Sequence, residues 1–183
     1  MSRSFIFIFL LTVTFTVNAQ KFLTKNGNIR FFSDAPLEKI EAGNRQVNAA
    51  LDVATGDFIF KVLMKSFEFE KALMQEHFNE NYVESDKFPN ATLLAKITNI
   101  KEVNLSKDAV YPVNVEGKLT IHGVTKAVKE TGTLEVKQGK IIGKSKFRIL
   151  LPDYKIDIPG AVMKNISKTV EISVEVTLDK ASN

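Results

Sequence analysis

The sequence predicts a mainly β protein, a single antiparallel domain of about eight strands with one substantial helix and one short helical turn. Apolar and polar residues alternate with a period of two through most of the chain. Residues 70–82 have a helical period instead, and the turns between strands are short. This pattern is typical of a barrel or a sandwich, and periodicity leaves both open.

A hairpin around residues 117–126 is the clearest strand pair. Before its turn, one face of the strand is apolar: Val113, Val115, Leu119 and Ile121. The alternation stops at His122-Gly123, where glycine tolerates a positive φ, and it resumes from Val124. The pattern therefore places one face of both strands in the core.

The segments before this hairpin predict further strands. Residues 21–33 read as one or two short strands broken at Asn26-Gly27. Residues 37–40 predict the short helical turn, because Pro36 lies at its start and Gly43 just past its end. A hairpin of residues 45–53 and 57–64 follows, and its second strand has one apolar face: Phe58, Phe60, Val62 and Met64.

Residues 70–82 predict the substantial helix, because an apolar stripe recurs along them at helical spacing: Leu73, Met74, His77, Phe78 and Tyr82. The Lys87-Phe88-Pro89 segment ends it, since proline cannot continue the helical ladder. The remaining elements are strands at residues 91–97, 141–151 and 170–178 and a polar loop at residues 99–108.

Residues 1–19 predict a signal peptide that is removed, which leaves residues 20–183 as one domain of 164 residues. Arg3 precedes an apolar stretch of thirteen residues, and Ala19 supplies the small residue needed for cleavage before Gln20. A retained anchor is the alternative, but thirteen residues fall short of the about 20 that span a bilayer. We expect a periplasmic or secreted bacterial protein with no stable membrane insertion.

The composition argues against several function classes. The formal net charge is +4, and the 25 basic and 21 acidic residues are interleaved, so we expect no nucleic-acid partner. The chain has no cysteine, which excludes disulfides and thiolate chemistry.

We find no catalytic constellation in the sequence, and we expect no metal and no resident cofactor. Glu76, His77 and Glu80 are close in sequence, but His77 belongs to the apolar stripe and the glutamates do not. His122 precedes a turn glycine, where it more often ties down a hairpin than takes a proton from a substrate. The phenylalanines around residues 58–82 fit either an ordinary core or a barrel with room for one ligand.

Three segments, in order, resemble the YceI-like family. They are residues 66–89, with Ser66-Phe-Glu-Phe69 and Lys87-Phe-Pro89, the hairpin Gly-Lys-Leu-Thr-Ile-His-Gly-Val-Thr-Lys at 117–126, and residues 143–154 with the last strand. Residues 27–33, with Ala42 and Asn44, also fit the family's first strand. The resemblance covers essentially all of residues 20–183.

The resemblance implies a lipocalin-like barrel whose apolar tunnel binds, stores or shuttles a polyisoprenoid or similar amphiphile. The ligand would be an isoprenoid, a quinone-like molecule or an acyl lipid, and the barrel could pair as a homodimer. The expected lipid-binding residues are Phe60, Val62, Phe67, Phe69, Met74, His77, Phe78, Tyr82 and Phe147. Two alternatives stay open, a β-sandwich interaction module with a filled core and a hydrolase or isomerase that uses His77 or His122.

Overall fold

The computed structural model describes residues 20–181, so the expected signal peptide lies outside the described residues. Within these residues nine strands are formed: β1 (Lys21–Asp34), β2 (Lys39–Asp52), β3 (Asp57–Leu63), β4 (Glu68–Phe69), β5 (Asn90–Ile97), β6 (Ala109–Ile121), β7 (Val124–Lys137), β8 (Lys140–Leu150) and β9 (Thr169–Lys180). One helix, α1 (Ala72–His77), continues as a π-helical turn (Phe78–Tyr82). Short 3-10 turns lie at Met64–Ser66, Ile100–Glu102, Leu151–Tyr154 and Gly160–Val162.

Eight strands close into an antiparallel barrel in the order β1-β9-β8-β7-β6-β5-β3-β2, and β2 pairs with β1 to complete it. The two-residue β4 extends the sheet beside β2, at Ala42 and Gly43. The predicted mainly β fold is confirmed. The sandwich alternative is wrong, because the β1–β2 pairing leaves one closed sheet where a sandwich would have two.

The helix predicted over residues 70–82 is confirmed: it begins at Ala72 and ends at Tyr82, as predicted. The helical turn expected at residues 37–40 is not formed. Ala35 N–H donates to the Glu38 carbonyl oxygen at 3.1 Å in a tight bend, and β2 begins at Lys39, opposite Asp34. Strand pairing therefore overrides the local helical signal of Pro36 at this corner.

The first strand is continuous across Asn26-Gly27, although the sequence predicts one or two short strands broken there. The register with β2 shifts on both sides of Gly27, which marks a β-bulge. A Cβ at Gly27 would lie 2.6 Å from Val176 Cγ1 of β9, so only glycine fits here without movement. The break in the apolar alternation at Asn26-Gly27 therefore marks a β-bulge within one strand and not the end of that strand.

One end of the barrel is filled. Its core consists of side chains from the starts of β1, β6 and β8 and the ends of β2, β5, β7 and β9: Phe22, Leu51, Ile97, Val113, Val136, Ile141 and Leu178. Leu51 and Ile141 are 1% exposed, which indicates tight packing. Side chains therefore fill this half of the barrel interior.

The wall of the barrel is incomplete between β7 and β8. Their pairing runs only from Lys137–Lys140 to Gly132–Ser145, although both strands continue beyond it toward the other end. The 3-10 turn Leu151–Tyr154 folds back against both strands and buries Tyr154. The irregular chain after β8 thus fills the space that a regular strand pair would occupy.

Candidate functional site

An apolar cavity of about 320 Å³ occupies the unfilled end of the barrel. Its walls come from the ends of β1, β3, β6 and β8 and the starts of β2, β5 and β9, with residues such as Ile29, Val62, Ala91, Ile121, Ile149 and Ile172. The volume lies in the range of small-molecule sites. The barrel is therefore hollow at one end and filled at the other.

Two segments that lie outside the eight barrel strands cover this cavity. The first cover, residues 64–88, contains α1 and contributes Phe67, Met74, Phe78 and Val83 to the lining. The second cover, residues 151–168, contributes a further set: Leu151, Ile156, Val162, Asn165 and Ile166. A ligand inside the barrel end would contact both covers.

Four phenylalanines form a contiguous aromatic wall of the cavity: Phe31, Phe67, Phe69 and Phe78. The Phe31 and Phe78 rings are stacked with centroids 5.5 Å apart, and the Phe69 and Phe78 centroids are 5.1 Å apart. Such offset and tilted pairs stabilise one another beyond their area burial. The wall joins β1 to the first cover and gives the cavity a rigid apolar side.

A few polar groups border the cavity: Ser33, Glu38, His77, Tyr82 and Asn165. The Glu38 carboxylate accepts hydrogen bonds from Lys71 Nζ at 3.3 Å and from Asn165 Nδ2 at 3.4 Å. The buried Ser33 hydroxyl oxygen accepts from Ser167 N–H at 2.9 Å. Burial raises the pKa of the Tyr82 hydroxyl, so it stays neutral and can exchange a hydrogen bond with a head group.

His122 ties both covers to the barrel. Its Nε2 lies 2.7 Å from Glu84 Oε2 of the first cover, and its Nδ1 lies 3.2 Å from the Tyr154 carbonyl oxygen of the second. The Phe88 ring packs edge-on against the imidazole at a centroid distance of 4.6 Å. The His122 side chain is 11% exposed. Both ring nitrogens are thus engaged in holding the fold.

Seven of the nine expected lipid-binding residues line the cavity: Val62, Phe67, Phe69, Met74, His77, Phe78 and Tyr82. Phe60 and Phe147 lie on strand faces that point inward, but they are not among the lining residues. Phe60 is 6% exposed and belongs to the packed core. The role of all nine as ligand contacts stays a prediction.

Sequence reasoning missed much of the cavity wall. Strand alternation could have predicted Phe31, since Ile29, Phe31 and Ser33 alternate along β1 and therefore lie on the same face of the strand. Ile149 of β8 and Ile172 of β9 also follow strand alternation. The sequence could not predict the lining residues of the second cover, because an irregular segment has no periodic pattern that shows which side chains point inward.

The histidines offer no catalytic arrangement. His77 is exposed at the C-terminal end of α1, and both nitrogens of His122 face protein acceptors. Within residues 20–181, no three His, Asp or Glu side chains are grouped as metal ligands would be. None of the helices among the described residues has the length and apolar character that a bilayer span needs.

The family model for the YceI-like domain matches residues 11–178 of the sequence. The chain belongs to the YceI-like family. The match includes eight of the nine strands in full and β9 as far as Leu178. The resemblance read from residues 66–89 and from the hairpin is therefore confirmed.

Solved structures share the fold at low sequence identity. A polyisoprenoid-binding domain from Saccharophagus degradans is 13% identical with a TM-score of 0.78, over 90% of this chain and 100% of that chain. BcnA of Burkholderia cenocepacia is 16% identical with a TM-score of 0.68, over 85% of this chain and 96% of that one. The YceI protein of Campylobacter jejuni is 14% identical with a TM-score of 0.53, and both chains are covered completely. The comparison with curated proteins gave no match.

Proposed function

We propose that this YceI-like protein binds a polyisoprenoid or similar amphiphilic lipid in the cavity, and stores it or carries it through an aqueous compartment. The observation that carries the proposal is the apolar cavity of about 320 Å³ at one barrel end. The name of the Saccharophagus degradans domain, which describes polyisoprenoid binding, supports the same ligand class.

The energetics favour a ligand with a long apolar tail. Each methylene buried in the cavity contributes roughly 0.8 kcal/mol, so a tail can bind with few polar contacts. The aromatic wall of Phe31, Phe67, Phe69 and Phe78 supplies a continuous apolar surface against such a tail. Tyr82 and His77 lie on the first cover, where a hydroxyl, carbonyl or quinone head group could receive their hydrogen bonds.

We further propose that the protein acts in the periplasm or outside the cell after removal of residues 1–19. The apolar stretch behind Arg3 and the small residue Ala19 support export. A binding role rather than an enzymatic one fits the cavity, since the partly buried His122 is engaged by Glu84 and by the Tyr154 carbonyl.

The test is organic extraction of the purified protein followed by mass spectrometry of the extract. We expect a co-purified lipid, or saturable uptake of geranylgeraniol or of a short-chain quinone by the lipid-free protein. Protein that is lipid-free from several expression hosts and takes up neither probe would contradict the proposal.

A further inference from the structure

Three polar side chains meet at one place in the cavity wall, where the chain bends between β1 and β2. Ser33 is the last inward-facing residue of β1, and Glu38 directly precedes β2. The second cover lies against this bend, because Ser167 N–H donates to the Ser33 hydroxyl and Asn165 Nδ2 donates to the Glu38 carboxylate. Ser33, Glu38 and Asn165 all line the cavity, and we call them the polar corner.

Ser33 has a hydrogen-bond donor that the fold does not use. The residue is 2% exposed, and its hydroxyl oxygen accepts from Ser167 N–H at 2.9 Å. Within residues 20–181, no protein acceptor lies within hydrogen-bond reach of the Ser33 hydroxyl. A serine hydroxyl donates one hydrogen bond besides those that it accepts, and buried donors in folded proteins normally have a partner. An acceptor atom of a ligand in the cavity would supply that partner.

Glu38 offers acceptor atoms beside this donor. Its Oε1 accepts from Lys71 Nζ at 3.3 Å, and its Oε2 accepts from Asn165 Nδ2 at 3.4 Å. A carboxylate has about four lone-pair sites, so each oxygen can accept one more hydrogen bond. The polar corner therefore suits a ligand group that accepts from Ser33 and donates to Glu38. A hydroxyl is the smallest group that does both.

The charges around the polar corner disfavour an anionic head group. Among the described residues that line the cavity there is no lysine or arginine, and Glu38 is the only carboxylate. A polar depression on the outer surface adjoins the cavity and shares Glu38 with it. Four glutamates and two lysines line that depression: Glu38, Glu41, Glu68, Glu70, Lys39 and Lys71. A phosphate or carboxylate would meet net negative charge on both sides of the corner.

We propose that the polar corner selects a lipid alcohol, whose hydroxyl donates to Glu38 and accepts from Ser33, over the phosphate or diphosphate of the same alcohol. The inference rests on the proposed function, because it names the head group of the lipid that the cavity binds. It places that head group beside Lys71, where the helix of residues 72–82 begins. Tyr82 lies at the other end of this helix, about 15 Å away.

Three ligands with the same tail test the choice of head group: geranylgeraniol, geranylgeranyl methyl ether and geranylgeranyl diphosphate. Displacement of the fluorescent probe N-phenyl-1-naphthylamine measures the affinity of each. The ether accepts a hydrogen bond but cannot donate one, and the diphosphate is an anion. We expect the alcohol to bind at least about fivefold more tightly than the ether and at least about tenfold more tightly than the diphosphate. Equal affinities of the alcohol and either other ligand would overturn the proposal.

Glu38→Gln tests the source of the preference, because it removes the charge and keeps the size of the side chain. We expect the alcohol-to-diphosphate affinity ratio to fall at least about fivefold. Glu116→Gln is the matched control, because it makes the same change at a glutamate of β6 that also pairs with a lysine, Lys129, at 3.0 Å. The control should keep the ratio within about twofold of the parent value. Equal ratios in the two variants would contradict selection by Glu38.

Ser33→Ala tests the hydrogen-bond donor. We expect geranylgeraniol and its methyl ether each to bind at least about fivefold more weakly, since both present an oxygen to Ser33. The probe has no oxygen and should bind as it does to the parent chain. Ser145→Ala is the control, because it removes a hydroxyl that donates to the Thr131 carbonyl oxygen at 2.7 Å, on strands β8 and β7. Equal weakening of the probe and the alcohol in Ser33→Ala would show a structural role of Ser33 and overturn the proposal.

The outcomes separate this inference from the proposed function. A parent chain that binds the alcohol and the diphosphate equally would overturn selection by the polar corner and leave lipid binding in the cavity intact. A parent chain that binds no geranylgeranyl ligand would contradict the proposed function, and the inference with it. A preference that Tyr82→Phe abolishes and Glu38→Gln does not would place the head group at the other end of the helix and overturn the proposal.

Discussion

Glu84 Oε2 and His122 Nε2 lie 2.7 Å apart although 38 residues separate them in the chain. Both residues have a positive φ, 44° at Glu84 and 50° at His122, which a non-glycine residue adopts only when its surroundings hold it there. Phe88 packs on the same imidazole and would lie 2.5 Å from a Cβ at Gly123. Residues 66–89 and the hairpin at 117–126, two of the segments that resemble the YceI-like family, therefore meet at this contact, which holds the covers of the cavity.

We expect His122→Ala to lower the free energy of unfolding by about 1–3 kcal/mol, since it removes the imidazole that lies within hydrogen-bond distance of the Glu84 carboxylate and the Tyr154 carbonyl. Urea denaturation at neutral pH measures the change. His77→Ala is the matched control, because His77 is exposed, and its effect should stay within about 0.5 kcal/mol. Equal stability of the two variants would show that the His122 contacts do not hold the covers.

Asn44 gives a second stability prediction. It is 1% exposed, its Nδ2 donates to the Leu63 carbonyl at 2.9 Å, and its Oδ1 accepts from Gln46 N–H at 2.8 Å. It thereby bridges β2 and the end of β3, beyond the last paired residues of these strands. We expect Asn44→Ala to cost about 1–3 kcal/mol in urea denaturation, because buried backbone groups lose their partners. Asn48→Ala, at an exposed position of the same strand, should have little effect.

The sequence could predict the elements that have a periodic pattern, the strands and the helix. Val113 to Ile121 alternate because one face of β6 lies in the barrel, and the helical stripe of residues 70–82 faces the cavity through Met74 and Phe78. The cavity wall could be predicted where it is built from these periodic elements.

The closure and the second cover could not be predicted in the same way. The β1–β2 pairing joins residues near the start of the fold, and alternation alone does not say which strands are neighbours. The incomplete β7–β8 pairing and the return of Tyr154 to fill it depend on tertiary contacts. The helical signal at residues 37–40 failed for the same reason, since pairing of Lys39 with Asp34 outweighs it.

Glu130 should make the protein less stable as the pH rises. It shares an inward face of β7 with Leu134, and burial raises the pKa of its carboxyl above the ordinary value of 4.5. The folded state therefore binds the proton of Glu130 more tightly than the unfolded state does. The free energy of unfolding falls as the pH rises from the ordinary pKa of the unfolded state through the raised pKa of the folded state. We expect Glu130→Gln to be more stable than the parent at pH 7, with the difference vanishing in acid. Urea midpoints at both pH values measure this.

Glu171 should show the opposite sign. A hydrogen bond from Lys146, together with the charges of Lys146 and Arg148, lowers the pKa of its carboxyl. The ion pair stabilises the fold above pH 4.5, the ordinary pKa of the carboxyl in the unfolded state. This stabilisation is lost as the pH falls through the lowered pKa of the folded state. We expect Glu171→Gln to be less stable than the parent at pH 7 and equal to it in strong acid. Because the pair is on the surface, added salt should shrink the difference at pH 7, and a salt-independent difference would contradict this account.

Filling the cavity tests the site without removing any polar contact. Ala91 lines the cavity from the start of β5, so Ala91→Phe would place a ring where the lipid tail is proposed to lie. Leu94→Phe is the control, because Leu94 lies on the same strand but is 58% exposed on the outer wall. We expect the cavity variant to lose at least about tenfold in geranylgeraniol affinity, since the displaced tail methylenes forfeit roughly 0.8 kcal/mol each. The control should bind as the parent does, and circular dichroism should show both variants folded. Unchanged affinity in a folded Ala91→Phe variant would move the binding site away from this cavity.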